Sequence, residues 1–143
     1  MKISRENLDF NATSLFEVAL RETRFSYALY SHFRVGSALL LKDGSVVKGV
    51  NVENRSYGLT ICAERVAICT AIAKGCQDFL AIAIATPDSK EPVPPCGACR
   101  QVLSEFMKPC SPIIFGSTKE NMIIVTLSEL YPLDSLHELK KLR

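Results

Sequence analysis

Cys96-Gly97-Ala98-Cys99 sets two thiols three residues apart behind Pro94-Pro95. Such a pair can offer two thiolates to one metal ion, act as a redox dithiol, or simply pack. A thioredoxin-like dithiol follows a strand directly, near the start of its chain. This pair instead follows the proline- and charge-rich stretch 87–95, late in the sequence. Cys62, Cys69, Cys76 and Cys110, with His32 and His137, are the other soft ligands available. Cys62 and Cys69 lie seven residues apart in the helix-forming segment 62–74, which ends at Gly75. At ~1.5 Å of rise per residue their Cα atoms stand about 10 Å apart. That is too far for two bonds of ~2.3 Å to one ion. At most one cysteine of this helix joins the pair. Cys69 is expected to pack in the core as a small hydrophobe, and Cys76 and Cys110 to remain plain thiols, mainly packing.

Electrostatics selects Cys62. It stands at the start of its helix, and Cys96 and Cys99 flank the start of the next. Helix N-termini carry partial positive charge and free N–H groups, both of which favour thiolate over thiol. Two such ends can aim three thiolates at one zinc ion and leave a fourth position open, the pattern of a catalytic rather than a structural centre. Three thiolates and Zn²⁺ leave a net negative charge. Arg65, a turn beyond Cys62, is placed to offset it, though it also reads as a surface helix residue. Glu64 lies two residues from Cys62, and such positions diverge in mid-helix. They share a site only where a pocket sits over the helix end. There the carboxylate can move a proton between water and a substrate; otherwise it is an acid favoured by the helix dipole.

The elements that must position these groups read in the order α-β-β-α-β-α-β-β-α. Residues 8–25 have helical apolar spacing, with Glu6 and Asp9 as an acidic start and Asn11 or Ser14 as cap. Val35–Leu41 and Val46–Val50 flank Asp43-Gly44, a hairpin signal. Residues 79–85 form a buried strand and 97–107 an amphipathic helix. Ile113–Gly116 and Met122–Thr126 are short strands, and 127–142 is a charged helix interrupted at Pro132. The implied fold is α/β, a three-layer α-β-α sandwich on a mixed five-stranded sheet, with parallel pairing after residue 79 and one domain spanning 1–143. The chain of 143 residues is 48% hydrophobic and 22% charged, which disfavours disorder. Its net charge of +2 gives no argument for a nucleic-acid or membrane surface. The first ten residues, MKISRENLDF, lack the apolar run of an export signal, and no run approaches a membrane span. Six reduced thiols in the cytoplasm are therefore expected rather than three disulfides.

Four blocks now stand in order: Tyr30-Ser31-His32-Phe33-Arg34-Val35-Gly36, Asn51-Val52-Glu53-Asn54, Cys62-Ala63-Glu64-Arg65, and Pro95-Cys96-Gly97-Ala98-Cys99-Arg100-Gln101-Val102. Cys-x-Glu followed by Pro-Cys-x-x-Cys is the zinc-deaminase signature with cysteine in the first ligand position. From about Tyr27 to Leu130 the chain closely resembles the short, three-cysteine cytidine deaminases that act on free nucleosides. The resemblance implies hydrolysis of cytidine and 2′-deoxycytidine to the uridines plus ammonia, in pyrimidine salvage. It implies one Zn²⁺ per subunit on Cys62, Cys96 and Cys99, proton transfer by Glu64, and neutralisation of the thiolates by Arg65. It places Asn51 and Glu53 at the ribose hydroxyls, Phe33 on the pyrimidine ring, and main-chain atoms of Ala63 at the base. It also implies a homotetramer whose active sites are completed by neighbouring subunits.

The residues themselves agree in part. Asn51 and Glu53 have period two, so both side chains emerge on one face of an extended segment, where amide and carboxylate together can bind a diol. Glu53 would repel a phosphate, which favours a free nucleoside. On spacing alone the two also read as a polar turn, and Phe33 as core. Relatives carry a phenylalanine near the C-terminus that reaches into a neighbour's site. Here Ser135 stands in its place, leaving Leu133 or Leu136 to cover the site with less stacking. Two other substrates would use the same chemistry. One is a cytosine-bearing antibiotic. The other is cytosine in single-stranded nucleic acid, disfavoured by the low charge and the lack of tryptophan. A purely structural zinc module would require a fourth protein ligand, with His32 or Cys110 as candidates.

Overall fold

Asp43 and Gly44 close the first hairpin. Asp43 Oδ1 accepts hydrogen bonds from Ser45 N (2.9 Å) and Ser45 Oγ (2.6 Å), and Gly44 takes the left-handed conformation at φ 88°. In the computed structural model, which describes residues 8–142, this turn joins β1 (Gly36–Leu41) to β2 (Val46–Val50). β3 (Phe79–Ala85) lies antiparallel on the other side of β1, so β2 and β3 point the same way. β4 (Pro112–Gly116) pairs parallel with β3, and β5 (Ile123–Thr126) antiparallel with β4, giving the order β2-β1-β3-β4-β5. Parallel pairing holds for β3 and β4, which α3 (Gly97–Phe106) connects. It does not extend to β5, which follows β4 through a short loop.

The sheet separates two apolar layers. On one face α1 (Ala12–Glu22) packs Leu15, Phe16 and Ala19 against Ala38, Leu40, Ala81, Ala83 and Ala85. On the other, α2 (Ala63–Ala73) and α3 bury Ala67, Ile68 and Leu103 against Leu39, Ile82, Ile84 and Ile113. Strict alternation in β3 would put Phe79 on the alanine face. A bulge prevents this: Leu40 opposes Ala81 and Leu41 opposes Phe79, so Leu80 is the extra residue, turned outward and 44% exposed. Phe79 thereby joins the α2–α3 layer.

Helix ends follow local chemistry. α1 starts at Ala12, with Asn11 Oδ1 accepting from Ser14 N at 3.0 Å, so Asn11 is the cap and Ser14 its donor. Asp9 precedes the helix, whose first turn holds no acid, and Glu6 lies outside the described residues. α2 stops as expected at Gly75, φ 82°, with Cys76 N bonded to Ala71 O and Gly75 N to Ile72 O, both at 2.9 Å. The charged helix expected over 127–142 does not form as such. It is one turn, α4 (Leu127–Leu130), capped by Thr126 and Glu129, and a separate 3₁₀ stretch His137–Leu142. Pro132 lacks an N–H and restricts Tyr131, and Leu133, Leu136 and Leu139, at least half exposed, supply no buried face.

Topology fixes where the chemistry must sit. Gly36 lies opposite both Val50 and Ala85, so the end of β2, the start of β1 and the end of β3 share one edge of the sheet. The chain leaves β2 for α2 and β3 for α3, so both helices begin over that edge. Gly49 lets α2 come down onto β2: a Cβ there would lie 2.3 Å from Ala63 O and 2.7 Å from Ala67 N. Ser37 Oγ, buried in β1, donates to Ala63 O at 2.7 Å and pins the same first turn.

Candidate active site

Cys62 and Cys96 are the N-cap residues of α2 and α3, both in extended backbone. Cys99 is buried within the first turn of α3, and its N–H points at Cys96 Sγ (3.5 Å). The three Sγ atoms lie within 4.8 Å of one another, and Cys62 Sγ and Cys96 Sγ are 3.8 Å apart. Two thiolates bonded at ~2.3 Å to a tetrahedral zinc stand about 3.8 Å apart, so the donor set fits that ion. No other histidine, cysteine, aspartate or glutamate among the described residues joins this cluster, so neither His32 nor Cys110 serves as a fourth ligand. The remaining thiols are elsewhere. Cys76 is half-buried against the α2–α3 layer, as expected of a packing thiol, but Cys69 and Cys110 are exposed. The expectation that Cys69 packs in the core fails because the buried stripe of α2 runs through Ala63, Glu64, Ala67, Ile68 and Ala71.

Arg65 Nη2 donates to Cys62 Sγ at 3.4 Å. Its Nε is buried without a partner among the described residues. Leaving a buried donor unpaired costs about 1–3 kcal/mol, which a plain surface helix residue would not incur. Of its two readings, the structure thus favours a guanidinium turned toward sulfur. Hydrogen bonding from the Cys99 thiol, then from Arg65 and Cys96, brings the Cys62 thiol down to about 5 against the cost of burial. The Cys99 thiol is pushed up, first by the bond it gives to Cys62, then by burial and by Glu64. Of Cys62 and Cys99, Cys62 is therefore the first to ionise.

Glu64 is 4% exposed. Burial, and secondarily the charge of Cys62, raise its carboxyl above the ordinary range, partly offset by its own backbone N–H and by Cys99. Positions i and i+2 do share a site here, because the pocket opens over the helix end. A cavity of about 230 Å³ is lined by Cys62, Glu64 and Cys96 together with Phe33, Asn51 and Thr86. A second cavity of about 360 Å³, lined by Tyr30, Ser31, Glu53 and Tyr57, meets it at Thr60.

The remaining residues of interest surround these two cavities. Phe33 is a half-buried wall of the inner one. Asn51 and Glu53 both reach the 30–35 segment, as their period predicts. Asn51 Oδ1 accepts from Val35 N (3.0 Å) and its Nδ2 donates to Phe33 O (2.8 Å), so the amide keeps one N–H and one oxygen lone pair. Glu53 Oε1 accepts from Tyr30 N (3.0 Å) and Ser31 N (3.1 Å), and Oε2 accepts from Ser31 Oγ. The Ser31 hydroxyl bond is the main reason its carboxyl lies below the usual range. The turn that grips Glu53 carries His32 at φ 55°, the one non-glycine residue with positive φ among those described. Ala63 O is taken by Ser37, leaving its N–H, at the first helical position, as its main-chain group for a ligand. Ser37, Thr60 and Thr86 were missed from sequence. Ser37 did carry a signal, as a hydroxyl inside the apolar run 35–41.

Residues 11–116 match the family described as the cytidine and deoxycytidylate deaminase zinc-binding region. The chain is 48% identical over 118 residues to a cytidine deaminase of Halalkalibacterium halodurans, covering 82% of this chain and 89% of that protein. It is 33% identical over 138 residues to the blasticidin-S deaminase of Bacillus cereus, covering 92% and 93%. The crystal structure of the Burkholderia pseudomallei cytidine deaminase superposes with a TM-score of 0.81 at 40% identity, covering 86% of this chain and 98% of that one.

Proposed function

The chain belongs to the cytidine and deoxycytidylate deaminase family, and from that premise we propose that it hydrolyses cytidine and 2′-deoxycytidine to uridine and 2′-deoxyuridine plus ammonia. The observation that carries this reading is the buried Glu64 carboxyl in the wall of a cavity that Cys62 and Cys96 of the three-thiol cluster also line. Cys62, Cys96 and Cys99 hold one zinc ion, which when bound supplies Lewis acidity and activates water at neutral pH. Glu64 takes a proton from the attacking water and gives it to ring N3 of the base. It then takes the proton of the new C4 hydroxyl and delivers it to the amine, which leaves as the C4 carbonyl forms, so that one water is consumed and one ammonia released. Phe33 packs on the pyrimidine and the Ala63 N–H reaches the base. The spare Asn51 N–H and the remaining lone pair of Glu53 take the sugar hydroxyls. Arg65 tempers the charge of the thiolates.

The whole chain acts as one deaminase domain in this reading, in the cytoplasm and in pyrimidine salvage. Self-association into a homotetramer is supported by the exposed apolar side chains Tyr27, Leu29, Tyr57, Leu59 and Ile61, in the chain segments that also supply Tyr30 and Thr60 to the outer cavity. No helix among the described residues is long and apolar enough to cross a membrane. The test is loss of cytidine ultraviolet absorbance, with and without a zinc chelator, for the wild type and Glu64→Gln. The variant should keep zinc and lose turnover by orders of magnitude; wild-type turnover in it would sink the assignment. The similarity to blasticidin-S deaminase across nearly the whole chain favours a second reading, a cytosine-bearing antibiotic as substrate. Relative kcat/KM on cytidine and on blasticidin S separates the two.

A further inference from the structure

We propose that Arg100 is a positioning residue for the Cys96 corner, tying the loop that delivers this ligand to the C-terminal turn. The inference rests on reading Cys62, Cys96 and Cys99 as a zinc site. Arg100 follows Cys99 in α3, and its backbone N bonds to Cys96 O at 3.0 Å. Its side chain turns back along the helix. Nε donates to Pro95 O at 2.8 Å, and Nη1 donates to Leu130 O at 2.8 Å. Pro95 is fully buried and immediately precedes Cys96; Leu130 is the last residue of α4.

The sequence explains why this bond matters. Pro94 and Pro95 have no backbone N–H, so the chain entering Cys96 has two fewer donors with which to anchor itself. The Pro95 carbonyl is the backbone handle nearest the ligand, and Arg100 holds it. The far end of the clamp is itself fixed. Tyr131 N bonds to Leu127 O at 2.8 Å, and Tyr131 Oη donates to Gln101 Oε1 at 2.5 Å. Arg100 and Gln101 thus grip adjacent residues, 130 and 131. Arg100 makes no ion pair among the described residues. Its planar fork, rather than its charge alone, is what the site uses, and a lysine offers no such fork.

The experiment follows zinc release from the holoenzyme to a chromogenic chelator, together with the thiolate absorption band after cobalt(II) substitution, in the wild type, Arg100→Lys and Tyr131→Phe. Arg100→Lys should release zinc about ten- to a hundredfold faster, as loss of groups supporting metal ligands generally does. Its cobalt band should shift, and kcat should fall more than KM rises. Tyr131→Phe, which removes one hydrogen bond from the anchoring end, should shift release in the same direction by less. Release from Arg100→Lys at the wild-type rate with an unchanged cobalt band, whatever its Tm, overturns the proposal. If Arg100→Lys does not fold, unchanged release from Tyr131→Phe overturns it. A wild-type protein that takes up no zinc refutes the metal reading itself, and the Arg100 proposal with it.

Discussion

Replacing Gly49 by alanine should damage the active site from β2, through a contact with the residue that follows Cys62. The added Cβ would meet Ala63 O at 2.3 Å, Ala67 N at 2.7 Å and Ser37 Oγ at 2.8 Å, where ordinary contact begins at 3.4 Å. The two nearest obstacles are backbone atoms of the first turns of α2, so no side chain can swing aside. Relief requires the start of α2 to lift from β2 by about 1 Å, stretching the 2.7 Å bond from Ser37 Oγ to Ala63 O. Cys62 caps that turn and Glu64 lies in it, whereas Cys96 and Cys99 belong to α3 and stay behind. Overpacking of this kind costs about 1–3 kcal/mol, roughly 2–12 °C in Tm for a chain of this size. A misplacement of ~1 Å at a catalytic group costs about a hundredfold in rate. The assays are Tm, zinc per subunit by metal analysis, and kcat on cytidine. Gly97→Ala is the control for stability: it adjoins Cys96, yet its Cβ meets nothing within 4 Å, so Tm should hold. A Gly49→Ala protein with wild-type Tm, zinc content and kcat would show that α2 is not seated by this glycine.

Two further outcomes follow from the geometry. Cys96→Ala should purify without stoichiometric zinc yet unfold cooperatively, because both apolar layers are built without Cys62, Cys96 or Cys99; full zinc occupancy would count against the assigned ligands. Arg34 holds Asp88 through Nη2 (2.7 Å), Nε (3.0 Å) and its backbone N (2.9 Å), and the side-chain bond is the main cause that lowers the Asp88 carboxyl from 3.8 to about 2. A carboxyl lowered by folding stabilises fully above its unfolded pKa and loses that contribution as pH falls through the folded one. The Tm gap between the wild type and Asp88→Asn should therefore be about 2–4 °C at neutral pH, for a surface pair worth up to about 1 kcal/mol. The gap should close between pH 4 and 2, and one that widens on acidification would contradict the assignment.

Much of this was legible because its causes are local. Asp43-Gly44 dictates a turn, Gly75 a helix stop, and the spacing of Cys62 from Cys69 excludes a shared ion. What escaped depends on partners distant in sequence. Alternation alone cannot place Phe79 on the α2–α3 face, since a bulge against Leu40 and Leu41 does so. The Asn51 amide reads as free for a ligand until Phe33 and Val35 are seen to occupy half of it. Cys69 reads as core because a helix of alanines and isoleucines gives weak notice of which stripe is buried. The segment after Pro132 has leucines at intervals, yet Leu133, Leu136 and Leu139 stay at least half exposed against the described residues.

The edge of the sheet at which β2, β1 and β3 meet also sets a timetable. Cys62 and Cys96 are separated by 34 residues, and between them the chain must complete α2, add β3 beside β1 and turn the proline corner. At ~5–20 residues per second of synthesis, the second thiol emerges roughly 2–7 s after the first. A lone Cys62 cannot hold an ion in that interval, because its partners do not yet exist. Metal loading thus waits for Cys99, when β1, β2 and β3 have been made and β4 and β5 are still to come, so the centre can fill once β3 has brought the start of α3 beside that of α2.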